Sequence, residues 1–156
     1  MGEKILVAFD DSTNAMRAVE HVAKFFKADS QITLFSVLQD TATLCDMKSP
    51  ELSSYFLSQK SNFCILEEKK KSLVEEALQK AKKVLMNAGL NENNITIKTQ
   101  IKKNGIARDI VSEASSGYDV IVLGRRGLSG VKEFFMGSVS QKVLNTAKDV
   151  SILMVN

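Results

Sequence analysis

Gly124-Arg125-Arg126-Gly127 is followed, after nine intervening residues, by Gly137-Ser138-Val139-Ser140. Glycines at such offsets let main-chain N–H groups approach an anion with no Cβ in the way. The segment follows the apolar run Val120-Ile121-Val122-Leu123 and precedes a helical pattern. A helix starting there adds unpaired amides and the positive end of a dipole. The chemistry implied is phosphate binding. Amides of the 124–127 loop and of residues 137–140 would donate, the hydroxyls of Ser138 and Ser140 would assist, and Arg125 or Arg126 would add a charge-assisted contact. The competing reading is a surface loop with turn glycines and solvated arginines. Chance produces this spacing in about 3 of 1,000 such chains, so the strand-to-helix context favours the anion site.

Asp10 ends the run Ile5-Leu6-Val7-Ala8-Phe9, where it can meet a ribose, a base or a bound Mg²⁺, or cap the next helix. Other phosphate signatures are absent: there is no G-x-x-x-x-G-K-[ST], and Gly105 and Gly117 make no G-x-G-x-x-G. The single His21 lies mid-helix, and no Ser/His/Asp or Cys/His pairing stands out. Binding is therefore better supported than catalysis.

Continuous apolar runs at 5–9 and 32–38 read as strands buried on both faces. Between them Ala15, Ala18, Val19 and Val22 repeat at helical spacing, with Asp11 or Ser12 as cap. Residues 39–61, with the only proline at Pro50, form an irregular excursion. A helix is expected from about Asn62 to Ala88, closed by Gly89. Ile95, Ile97, Thr99 and Ile101 alternate with polar residues, as on a strand at or near a sheet edge. A third helix spans 105–116, a fourth strand 120–123, and a fifth strand 152–155. The fourth helix opens on Ser138-Val139-Ser140-Gln141, which reads as a capping box. Alternating strands and helices predict an α/β fold: one doubly wound parallel sheet with helices on both faces, over residues 1–156 as one domain. Ligands bind such sheets at the strands' carboxyl ends, where strand order reverses. Asp10, Val37 and Gly124 all fall at that end.

The chain has 156 residues, 44% of them hydrophobic, enough to bury a core without staples. Its net charge of +3 comes from interspersed acids and bases, which argues against a nucleic-acid partner. No apolar stretch reaches the ~20 residues of a membrane span. Cys45 and Cys64 are not in C-x-x-C spacing, so two free thiols in a cytoplasmic protein are expected. Ile152-Leu153-Met154-Val155, as an outer strand, would leave an apolar edge. Pairing with the same strand of a second copy would cover it.

Lys4-Ile5-Leu6-Val7-Ala8-Phe9-Asp10 with Ser12 and Ala15, and above all G-x2-G-x9-G-[ST] at 124–138, resemble the universal stress protein family in its ATP-binding branch. The resemblance covers nearly the whole chain. It implies a five-stranded sheet in the order 3-2-1-4-5, ATP, often with Mg²⁺ or Mn²⁺, and a cytoplasmic homodimer with a regulatory or stress-response role. By position, Asp10 and Val37 would lie near the adenosine. Gly124, Arg126, Gly127, Gly137, Ser138, Val139 and Ser140 would surround the ribose and phosphates. Asp149-Val150 departs from the family, whose members often have a proline there. Other readings are a dimeric interaction module with an empty crevice, or a weak ATP hydrolase. A phospho-acceptor receiver lacks its aspartate after the third strand, where the chain reads Lys102-Lys103-Asn104-Gly105. An ATP pyrophosphatase lacks its serine-glycine-glycine loop, because Asp10-Asp11-Ser12-Thr13 stands there.

Overall fold

The computed structural model describes residues 2–10, 12–41, 45, 54–125 and 136–156. Its elements are β1 (Lys4–Ala8), α1 (Thr13–Phe25), β2 (Gln31–Leu38), α2 (Ser54–Asn87), a 3₁₀ turn (Glu92–Asn94), β3 (Ile95–Ile101), α3 (Ile106–Ala114), β4 (Val120–Gly124), α4 (Ser138–Thr146) and β5 (Ser151–Val155). The strands form one sheet in the order β3-β2-β1-β4-β5. Every pairing is parallel, with Val7 opposite Leu34 on one side and Val122 on the other.

Successive strand residues point to opposite faces, so β1 feeds two cores. Ile5 and Val7 pack with Ala18, Val19 and Val22 of α1 and with Leu78, Ala81 and Leu85 of α2. Leu6 faces the other way, with Phe35, Ile121, Ala107 and Ile110 of α3 and Val143 of α4. Each face thus receives two helices, and this double cover is why β1, β2 and β4 read as unbroken apolar runs. β3 alternates because it is an edge strand. Lys98 on it reaches Glu113 of α3 at 2.8 Å. Beside that pair, the Tyr118 hydroxyl bonds Thr33 Oγ1 and Glu113 Oε1, both at 3.1 Å.

The helix ends follow local chemistry. Ser12 caps α1, its Oγ accepting from the Ala15 amide at 3.1 Å. Gly89, at φ 101°, closes α2, and the Leu90 amide donates back to the Leu85 carbonyl. The expected cap Asp11 lies outside the described residues.

Two expectations are corrected. α2 begins at Ser54, eight residues ahead of Asn62, and its first turns are exposed, so no buried stripe marks the start. The two cysteines are not free: Cys45 and Cys64 form a disulfide, with Cα atoms 5.9 Å apart. Cys64 lies in the third turn of α2, within bridging distance of Cys45. Among the described residues, no helix is long and apolar enough to cross a membrane.

Candidate functional site

β1 and β4 are neighbours, and the chain leaves them toward opposite sides of the sheet. Their carboxyl ends therefore flank the point where strand order reverses, the place a ligand occupies in such sheets. Asp10 lies just beyond β1, Val37 lies near the end of β2, and Gly124 ends β4.

At Gly124 the backbone runs against the start of α1. A Cβ there would stand 2.9 Å from the Asn14 carbonyl carbon and 2.9 Å from its Cβ. The glycine is thus required by packing as well as by any approach of a ligand. Beyond it, the Arg125 amide donates to the Val155 carbonyl at 2.8 Å, extending the β4–β5 ladder. The Arg125 guanidinium reaches Asn156 Oδ1 at 3.4 Å. Arg126 and Gly127 lie outside the described residues. When the chain returns, the Gly137 amide donates to the Arg125 carbonyl at 2.8 Å. The buried Ser140 hydroxyl donates to the Gly124 carbonyl at 2.7 Å. These two bonds fix the start of α4 against the end of β4.

Two details differ from the sequence reading. The N-cap of α4 is Gly137, not Ser138. Gly137 is extended (φ −60°, ψ 151°), and its carbonyl accepts the first helical bond, from the Gln141 amide at 3.0 Å. Ser138 is already helical, so the capping box does not form, and among the described residues no side chain caps α4. The Ser140 proton is also committed to Gly124, which makes this hydroxyl a structural clasp rather than a donor to an incoming phosphate. What remains at the helix start is main chain. The amides of Ser138, Val139 and Ser140 open α4, with the Ser138 side chain exposed and Val139 packed partly against the second core, as Val37 is. Unsatisfied amides in a helix's first turn, reinforced by the dipole, suit an anion.

Asp10 turns back on its own loop, Oδ1 accepting the Ser12 amide at 3.0 Å. This Asx turn aims the chain into α1. Among the described residues no group of three or more His, Cys, Asp or Glu could hold a metal ion. The Asp10 carboxylate lies just beyond β1 at this edge. Sequence reasoning passed over Asp109. Its buried carboxylate accepts the Lys103 amide at 2.7 Å and the Asn104 amide at 3.1 Å, shaping the loop that follows β3 at this same edge. An acid in the first turn after Asn104-Gly105 was the available signal.

A five-stranded parallel sheet of this order, with a glycine-rich return onto a helix start, defines a class of α/β proteins with a ligand edge beside β1 and β4. The sequence model described as the universal stress protein family matches residues 1–156, and the chain belongs to that family. A universal stress protein of Mycolicibacterium smegmatis is 26% identical over 144 residues, which are 92% of this chain and 45% of that protein. A Staphylococcus aureus (strain USA300) protein of the same description is 28% identical over 146 residues, 93% of this chain and 79% of its own length. Among solved structures, hypothetical protein MJ0577 superposes with a TM-score of 0.70 at 24% identity, covering 99% of this chain and 96% of that one. A universal stress protein in complex with cAMP gives 0.66 at 19%, covering 99% and 97%. At these identities the structural likeness shows the fold alone.

Proposed function

We propose that the chain binds ATP at the β1–β4 edge as a regulatory ligand, in a stress-response role in the cytoplasm. The observation that carries this reading is the uncapped start of α4. Three consecutive amides, Ser138 to Ser140, open the helix at the carboxyl edge, no side chain among the described residues caps them, and Gly137 offers no Cβ. Gly124, Arg126, Gly127, Gly137, Ser138, Val139 and Ser140 surround ribose and phosphates, with Ser140 acting through its amide and as the clasp on Gly124. Asp10 and Val37 lie beside the adenosine. Mg²⁺ or Mn²⁺ would be held by the phosphates with the Asp10 carboxylate and would supply charge neutralisation. Family membership supports the reading, as does the cAMP bound to a relative of the same fold. Slow hydrolysis at most is expected, because among the described residues no histidine stands at this edge.

A homodimer through β5 belongs to the same proposal. β5 is the outermost strand, its residues Ile152 to Val155 are only half-buried, and none is charged. Ser151 bonds toward β4, so by alternation the amides of Ile152 and Met154 point outward to a partner strand. Met154→Pro removes such an amide while sparing the β4 ladder, and it is expected to halve a β5-mediated mass.

Calorimetric titration and thermal shift with ATP, ADP, AMP and cAMP test the ligand. Saturation at 100-fold over Kd stabilises by ~2.7 kcal/mol. No heat and no shift with any of the four would leave the empty-crevice interaction module as the reading.

A further inference from the structure

The first half of α2 is largely outside the body of its own chain. From Tyr55 to Ala77 no residue is fully buried, and Leu78 is the first that is. At 1.5 Å per residue this half is about 36 Å long. α2 ends shortly before β3 begins and its 34 residues span about 51 Å, about twice the length of β2, so its first part stands beyond the sheet's carboxyl edge. It nevertheless carries large apolar side chains: Tyr55 is 70% exposed, Phe56 62%, Phe63 41%, Leu66 59% and Leu73 44%.

Phe56, Phe63, Leu66 and Leu73 follow one line, whereas the exposed Leu57 (47%) and Ile65 (62%) face away from it. Phe56 and Phe63 are seven apart, as are Leu66 and Leu73, and the two series are offset by three. With Gln59 and Lys70 they form the seam Phe56-Gln59-Phe63-Leu66-Lys70-Leu73, the a/d pattern of a coiled coil. Cys64, held to Cys45, lies about 100° round from Phe63 on the side away from Leu66, so the disulfide ties a different flank. The seam complements itself when antiparallel. Placing Phe63 against Leu66 of the partner subunit also places Phe56 against Leu73 of the partner subunit, and Gln59 against Lys70 of the partner subunit. Each apolar residue meets an apolar one and the lysine meets a neutral amide. A covered aromatic side chain buries ~150–250 Å², so at these exposures the four apolar side chains of the seam, with Tyr55 on its flank, offer about 500 Å² per copy. A symmetric pair reaches ~1,000 Å², the threshold of a specific interface.

We infer that residues 55–73 of α2 pair antiparallel with the same segment of a second copy, in the register that sets Phe63 against Leu66. The contact does not involve β5.

The test is the solution mass of the full-length chain by sedimentation equilibrium, for wild type, Leu66→Glu, Met154→Pro and the double variant. Leu66→Glu is expected to halve the mass in both the wild-type and the Met154→Pro backgrounds. Helicity and thermal unfolding should stay near wild type, because Leu66 touches no core. Register is read at Gln59. Gln59→Glu sets a carboxylate opposite lysine and should tighten association several-fold, whereas Gln59→Lys should weaken it. A mass unaffected by Leu66→Glu overturns the inference. Weaker association of Gln59→Glu also overturns it, since that is the outcome of a parallel pair with glutamate facing glutamate. Co-sedimentation with anionic phospholipid vesicles, lost in Leu66→Glu at unchanged mass, overturns it as well and assigns the face to a lipid surface.

Discussion

Gly124→Ala isolates a steric demand that the phosphate-loop reading alone does not contain. The added methyl would sit 2.9 Å from both the carbonyl carbon and the Cβ of Asn14, and 3.0 Å from its carbonyl oxygen. Two of these atoms are backbone at the first turn of α1, which Ser12 caps, so a rotamer change cannot relieve the contact. Either α1 or the end of β4 must shift, and overpacking of this kind costs about 1–3 kcal/mol. In a chain of this length each kcal/mol lowers Tm by roughly 2–4 °C, which gives a fall of about 2–12 °C. With a urea m-value of about 2 kcal/mol/M, the midpoint drops by ~0.5–1.5 M. The measurement is made without nucleotide, so that lost binding does not contribute. Gly89→Ala is the control, because a Cβ there meets nothing within 4 Å and its cost, at φ 101°, is conformational only. A Gly124→Ala protein with wild-type Tm and urea midpoint would refute the close approach of β4 to α1.

Ser140→Ala breaks the 2.7 Å clasp on the Gly124 carbonyl in a buried setting and is expected to cost ~1–2 kcal/mol, read by urea denaturation. Asp149 holds φ 58°, a left-handed conformation that favours glycine, so Asp149→Gly should raise stability by up to about 1 kcal/mol. Tyr118 has its pKa raised above 10.0, first by burial and further by the Glu113 carboxylate beside it, against the opposing hydrogen bond from Thr33. Above pH 10 the unfolded tyrosine therefore loses its proton while the native one keeps it, and stability falls as pH rises through that window. Tyr118→Phe should show a shallower alkaline decline in urea midpoint than wild type; equal slopes would deny the shift.

Much of the architecture is legible in the residues because burial on two faces leaves a simple trace. β1, β2 and β4 appear as apolar runs, and β3 shows its edge position in the alternation of Ile95, Ile97 and Ile101. Strand order is not in the periodicity; it came through the resemblance. The pattern failed where no burial imposes a period, in the first turns of α2, and with it went the disulfide. Nothing local to Cys45 or Cys64 reports that a helix starting at Ser54 brings them together. At the site, the glycines marked the right segment, but their jobs were only partly visible. Ser138 looked like a cap because capping preferences are local, yet Gly137 takes that place by adopting the extended conformation one residue earlier. Ser140 looked like a phosphate donor, and only the tertiary approach of α4 to β4 shows its proton already committed.

The two rims of the sheet are chemically unlike. β3 presents Lys98, Thr96 and Gln100 and so repels a stacking neighbour, while β5 is uncharged from Ser151 to Val155. A ribbon growing by strand addition needs two adhesive rims, and this molecule offers one. Were two copies to join through β5 as proposed, both outward borders would be lysine-bearing β3 strands, and further lateral polymerisation would stop for want of a receptive end.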